Sequence, residues 1–132
     1  MLAGNSAAGS TVTVTASNLR SAEGVVRACM TTNPARFPKC RGDAAAYSVV
    51  VPAGKTVTFN FTNVKPGRYA IALLHDENDN GKADRALMMM PTEGYGFSRD
   101  AKVRMGPPKF DAAAFEVGTA NQSQTIEMRY ML

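Results

Sequence analysis

The sequence contains no tryptophan, one histidine and two cysteines. That poverty excludes Cys-rich zinc modules and multi-histidine metal centres, which need several such ligands in one site. No apolar run reaches the roughly 20 residues a helix needs to cross a bilayer, because Lys, Arg, Asp, Asn or Gly interrupts each one. A sustained 3.6-residue apolar period with caps is also missing. Helical structure is therefore expected only as single turns at the alanine runs Ala44–Ala46 and Ala112–Ala114. Residues 1–10 lack both a positive n-region and an apolar h-region, so they do not form an intact signal peptide. They read as a flexible leader, and residues 11–132 as one domain. At 132 residues and 45% hydrophobic content, such a domain can bury roughly two-thirds of its unfolded surface without help from a metal.

What is present is mostly strand. Thr11 to Ala16 alternates strictly, with Val12, Val14 and Ala16 on one face and threonines on the other, as a half-buried strand requires. Residues 56–62 alternate in the same way, with Val57, Phe59 and Phe61 inward. Arg68 to His75 is apolar on both faces and is expected to be central and covered on both sides. Between these two strands, Pro66-Gly67 carries a type II turn signature, which predicts an antiparallel hairpin. Further strands are expected at 23–30, 46–51, 114–117 and 125–132, the last with Ile126, Met128 and Tyr130 opposite Glu127 and Arg129. About seven short strands with Gly and Pro punctuation indicate an all-β, antiparallel sandwich of Greek-key type, immunoglobulin- or transthyretin-like. Residues 76–111 break the rhythm and read as one long mid-chain loop. Loops of that length are usually functional or disordered, and Tyr95, Phe97 and Phe110 argue that this one packs down on the sandwich.

The formal net charge is +4, but it is unevenly arranged. Residues 1–75 carry eight basic and two acidic side chains, whereas residues 76–84 carry four acids against Lys82. The basic residues are dispersed along the sequence and do not stand beside stacking aromatics, so nucleic acid is not an expected partner. Cys29 and Cys40 flank the ten residues Met30 to Lys39. A disulfide closing that loop would contribute about 3 kcal/mol by chain-entropy reasoning and would require an oxidising compartment. Two buried thiols are the alternative.

The acidic knot is the strongest candidate for chemistry. Counted from Asp76, side-chain oxygens fall at positions 1, 3 and 5 (Asp76, Asn78, Asn80), glycine at 6 (Gly81), a backbone carbonyl at 7 (Lys82) and a carboxylate at 9 (Asp84). This matches most of a calcium loop, in which alternating Asx side chains converge on the ion and glycine allows the sharp turn. Position 12 is Leu87 where a bidentate Glu is usual, so a further ligand must come from elsewhere, and Glu93 is the nearest carboxylate downstream. With few charged ligands, the expected affinity is on the order of 10⁻⁴ to 10⁻³ M. Asx residues bonding their own backbone in a tight loop would give the same spacing. Met88-Met89-Met90 with His75 and Met105 could supply soft ligands for Cu(I), but gap-filling core methionines explain them more simply. His75 is also the only base available to a nucleophile such as Ser98, and no G-x-S-x-G elbow is present. No catalytic residue is assigned. The sequons at Asn60 and Asn121 match a short motif with many chance occurrences.

The run Pro66 to Ala72, the segment His75 to Asp84, then Pro91-Thr92-Glu93-Gly94-Tyr95-Gly96-Phe97-Ser98, and Gly106-Pro107-Pro108-Lys109-Phe110 with Asp111-Ala112-Ala113 together resemble the bacterial family catalogued as domain of unknown function 2141. The resemblance covers about residues 11–131. It implies a small exported β-sandwich protein in a periplasmic or extracellular setting, with its signal peptide removed, and it supports the Cys29–Cys40 disulfide. The cysteine loop and the triple Met depart from the family's pattern. The resemblance carries no activity. The function expected is a non-enzymatic module of the bacterial envelope with a calcium-type loop, presenting His75, Tyr95, Phe97, Ser98 and Phe110 to a small molecule, glycan or envelope protein. A small envelope enzyme or accessory subunit using the Glu93–Phe110 surface is one alternative, and a structural subunit of a cell-surface assembly is another.

Overall fold

A computed structural model describes residues 9–40, 42–78, 94–103 and 107–130. Among them are nine strands: β1 (Ser10–Ser17), β2 (Val25–Thr31), β3 (Tyr47–Pro52), β4 (Val57–Val64), β5 (Gly67–Asp76), β6 (Gly94–Phe97), β7 (Phe115–Val117), β8 (Gln122–Glu127) and β9 (Arg129–Tyr130). A 3-10 turn at Ser98–Asp100 and a single helical turn, α1 (Phe110–Ala113), complete the inventory. The strands form two sheets, β4-β1-β8 and β3-β2-β5-β6-β9, with β7 pairing β5 beside the second. The result is the expected all-β sandwich. Its one parallel pair among the described strands is β1 with β8.

Period-2 patterning determines which side chains meet inside. Val12, Val14, Ala16, Phe59, Phe61 and Ile126 of the smaller sheet face Val26, Ala28, Met30, Tyr69, Ile71 and Leu73 of the larger one, all buried. Burial of one such large apolar side chain is worth about 1.5–3 kcal/mol. The central strand is β5. Ala70 and Ala72, on its opposite face, are covered by Phe97, Ala101, Phe110, Ala113 and Ala114, with Phe37, Tyr95 and Val103 packed at the margin. The sandwich therefore carries a second, smaller apolar layer on the outside of its larger sheet.

The expected hairpin between the fourth and fifth strands does not form. β4 pairs with β1 and β5 pairs with β2, so residues 64–67 cross from one sheet to the other as an arch. Both strands have apolar inner faces, and placing them in opposed sheets buries Phe59 and Phe61 in one core with Tyr69 and Ile71. Two tyrosines fix the crossing. Tyr69 donates its hydroxyl to the Lys65 carbonyl at 2.7 Å, and Tyr47 accepts the Lys65 N–H at 3.1 Å. Burial, and then the neighbouring Tyr47, push the Tyr69 phenol up to about 12.

The segment read as one long loop contains β6, the 3-10 turn and the start of α1. β6 escapes a sequence reading because two of its four residues are glycine, which weakens strands. Its packing explains them. A Cβ on Gly94 would lie 2.4 Å from the Tyr130 ring, and one on Gly96 would lie 2.7 Å from Ile126 and 2.9 Å from Met128. The glycines thus make room for the side chains of Tyr130, Ile126 and Met128. The alternate residues Tyr95 and Phe97 face outward, opposite Leu74 and Ala72 of β5. The C-terminal strand expected at 125–132 is divided into β8 and β9, and the first strand begins at Ser10, which is buried.

Candidate functional site

The C-terminal end of β5 brings together a cluster of buried and half-buried polar side chains. His75 is fully buried. Its Nε2 lies 2.9 Å from the Glu23 carbonyl and its Nδ1 lies 2.7 Å from the Tyr130 hydroxyl. A carbonyl can only accept, so Nε2 carries the proton and Nδ1 accepts from the phenol. The same phenol oxygen accepts the Arg20 backbone N–H at 3.1 Å. Both ring nitrogens of His75 and the Tyr130 hydroxyl are thereby engaged. Burial raises the Tyr130 pKa above the usual phenol range, and the Arg20 N–H opposes that shift only in part.

The acids that follow are held by Arg27 of β2 and by Arg20 of the β1–β2 connection. Asp76 is fully buried and accepts from Arg27 Nε at 2.8 Å. Glu77 takes Arg20 in a fork, with contacts of 2.6 and 3.2 Å to one oxygen and 3.3 Å to the other, and accepts the Ser21 hydroxyl at 2.7 Å. The Arg20 hydrogen bonds hold the Glu77 carboxyl below the usual carboxylate range. The Arg20 guanidinium also lies over the Tyr130 ring, 4.6 Å from its centroid. Gly24 makes this docking possible: its φ is +71°, and a Cβ there would come within 2.1 Å of the Asp76 carbonyl.

Asp76 and Asn78 of the proposed calcium loop are therefore described, while Asn80, Lys82, Asp84 and Glu93 lie outside the described residues, as do Met88, Met89, Met90 and Met105. Among the described residues no group of three or more His, Cys, Asp or Glu side chains could hold a metal ion. For copper, the imidazole is already engaged at both nitrogens.

The five side chains expected to form a ligand surface are mostly interior. His75, Phe97, Ser98 and Phe110 are buried, and only Tyr95 is half-buried. Phe37 meets Phe97 and Phe110 edge to face at centroid distances of 5.9 and 6.0 Å, so these rings pack against one another. Ser98 has a structural task that no motif reveals. β7 pairs with β5 over Gly67–Tyr69 and β6 pairs with it over Ala72–His75, which leaves a gap in the ladder between them. Ser98 Oγ fills the gap by accepting the Ile71 N–H at 2.9 Å and donating to the Ala113 carbonyl at 2.5 Å.

Cys29 and Cys40 form a disulfide with Cα atoms 6.4 Å apart. It closes the loop that presents Phe37 to the outer apolar layer. The same loop has a surface recess of about 240 Å³ lined by Ala35, Arg36, Phe37, Pro38 and Lys39. Among the described residues no helix is long and apolar enough to cross a membrane.

Residues 14–125 match the family model described as "Uncharacterized protein conserved in bacteria (DUF2141)". No curated protein and no solved structure matches the chain.

Proposed function

The chain belongs to the bacterial DUF2141 family, and from that starting point we propose that it is an exported, non-enzymatic β-sandwich module of the bacterial envelope. In this reading the segment after β5 binds a calcium-type cation, and the module serves a binding or structural role toward a small molecule, glycan or envelope protein. The observation that carries it is the state of His75: the chain's only histidine is fully buried with both ring nitrogens engaged. A general base must reach its substrate's proton, and this one is walled in by the fold. The Cys29–Cys40 disulfide supports an oxidising, periplasmic or extracellular setting.

The cation reading rests on the Asx spacing from Asp76 to Asp84. Asp76 reaches the loop already paired with Arg27, and a neighbouring guanidinium opposes a bound cation. The expected affinity therefore falls at the weak end, on the order of 10⁻³ M. Calcium at ten times that dissociation constant should then stabilise the fold by about 1.4 kcal/mol. Thermal melts of metal-stripped protein over a calcium series should show a rising Tm that Asp84→Asn abolishes. A Tm indifferent to millimolar calcium, or an equal rise in the variant, would remove the cation from this reading.

One observation favours a structural subunit as a second reading. β3 pairs only with β2 among the described strands, carries no charge, and exposes Val50 at 53%. An uncharged edge with an exposed valine invites strand addition. Native mass measurement at high concentration should then show an oligomer that Val50→Lys dissolves, and a persistent monomer would rule against it.

A further inference from the structure

β3 is an open edge of the larger sheet, pairing only with β2 among the described strands. The Ala53 N–H donates to the Gly24 carbonyl at 3.1 Å, in line with the register that sets Val25 opposite Pro52. Antiparallel ladders alternate hydrogen-bonded and non-bonded pairs. Tyr47, Val49 and Val51 therefore bond to β2, and the backbone groups of Ser48, Val50 and Pro52 point out from the edge. The edge thus offers the N–H and C=O of Ser48 and Val50 and the C=O of Pro52, whose missing N–H suits it to this position. Three further features set the strand apart. Val50 is the one exposed large apolar side chain among the described residues. Tyr47, Val49, Val51 and Ala53 are only partly buried against the core, whereas β4, at an edge of the smaller sheet, has Val57, Phe59, Phe61 and Val64 buried. Charged side chains, a usual guard of such edges, are missing from all of residues 44–54.

We propose that β3 pairs antiparallel with β3 of a second copy about a twofold axis at Val50, joining the larger sheets of two molecules into one. The inference rests on the structural-subunit reading and names its partner and register. A twofold axis normal to the sheet keeps both inner faces on one side, and directly opposite residues must share a face. Pairing Val50 with Val50 of the second copy meets both conditions. It sets Val49 opposite Val51 of the second copy and Tyr47 opposite its Ala53, so each half-buried residue of the rim gains an apolar neighbour. The two Val50 residues exchange both backbone hydrogen bonds, and the Ser48 N–H meets the Pro52 carbonyl of the second copy. Moving the axis to Val49 would instead leave Val50 against Ser48. An uncharged strand facing itself brings no like charges together, which removes the ordinary obstacle to self-pairing. A pairing of six-residue strands covers far less than the roughly 800 Å² per partner of a stable interface, so the dimer belongs at high protein concentration.

The test is oxidative cross-linking of the full chain at high concentration, with one cysteine added at a time and Cys29–Cys40 left in place. Directly opposite, hydrogen-bonded residues have Cα atoms about 5.5 Å apart, within the roughly 4.4–6.8 Å that a disulfide spans. Val50→Cys should therefore give a covalent dimer, with peptide mapping placing the bridge between the two introduced thiols. Pro52→Cys is on the same face of the same strand, but its two copies would lie roughly 14 Å apart along the strands and should not link. Val50→Lys should weaken dimerisation at least about tenfold, because two like charges would meet at the axis. It should do so without unfolding the monomer, since Val50 already faces solvent. No link from Val50→Cys in protein that melts like the parent, an equal link from Pro52→Cys, or a dimer indifferent to Val50→Lys would each overturn the proposal. An oligomer seen by native mass measurement without the Val50→Cys link would remove this pairing alone and leave the structural-subunit reading standing. A monomer at every concentration would remove both.

Discussion

Tyr130→Phe tests the polar clasp at the end of β5 with the smallest available change. The substitution keeps the ring over Gly94 and under the Arg20 guanidinium and removes only the hydroxyl. Two groups then lose their partner: His75 Nδ1, on a side chain with no exposure, and the Arg20 N–H, which lies at the exposed side. The second can turn to water, so most of the cost falls on the buried acceptor. A buried polar atom left unsatisfied costs about 1–3 kcal/mol, so a loss near 2 kcal/mol is expected. With an unfolding entropy of about 2.1 cal/mol/K per residue, that corresponds to a fall in Tm of about 7 °C. Urea denaturation and calorimetry should both register it. A double-mutant cycle with His75→Phe should show coupling of about 1 kcal/mol or more, because the two side chains share one hydrogen bond. A Tyr130→Phe protein within about 0.3 kcal/mol of the parent, with additive double mutants, would refute the bonding pattern drawn for His75.

Other expectations follow from the same geometry. Ser98→Ala should cost about 2–3 kcal/mol, since it orphans both the Ile71 N–H and the Ala113 carbonyl, and hydrogen exchange should locate the new opening at Ile71. Replacing Cys29 and Cys40 by serine should lower stability by about 3 kcal/mol and increase protease cutting within residues 33–43; a variant equal to the parent in both would mean that the disulfide does not hold the loop. Glu77 has a depressed pKa in the fold, so its contribution is present above the ordinary glutamate range and is lost as pH falls through the lower folded value. Glu77→Gln should flatten that part of the stability–pH profile, by no more than about 1 kcal/mol because the Arg20 partner is 38% exposed.

Much of the architecture is legible in the sequence because period-2 alternation is a local signal. The inward faces of β1 and β4 follow from it directly, and β5 stands out by lacking it, since apolar residues occupy both of its faces. The partner of each strand does not follow from it. Pro66-Gly67 reports backbone angles at a turn, and the same angles serve a hairpin or an arch; the choice is made by distant partners, since β4 pairs with β1 and β5 with β2 and the apolar faces of both are buried in one core. β6 is hidden for a related reason, since its glycines are required by Tyr130, Ile126 and Met128, which are distant in sequence. His75 could be placed at a strand end, but its role becomes visible only when Tyr130, 55 residues away, folds onto it. Ser98 is a lone serine whose task exists only where β6 and β7 leave a gap.

The central functional claim concerns the segment that follows this clasp. Its most direct test is a crystal structure of the chain grown with calcium at several times the expected dissociation constant. One ion is expected, held by side-chain oxygens of Asp76, Asn78, Asn80 and Asp84 and the Lys82 carbonyl, with a Glu93 oxygen within bonding reach, about 2.4 Å. An ion bound elsewhere, no ion at all, or a Glu93 carboxylate more than about 8 Å from the loop, far beyond that bond length, would contradict it.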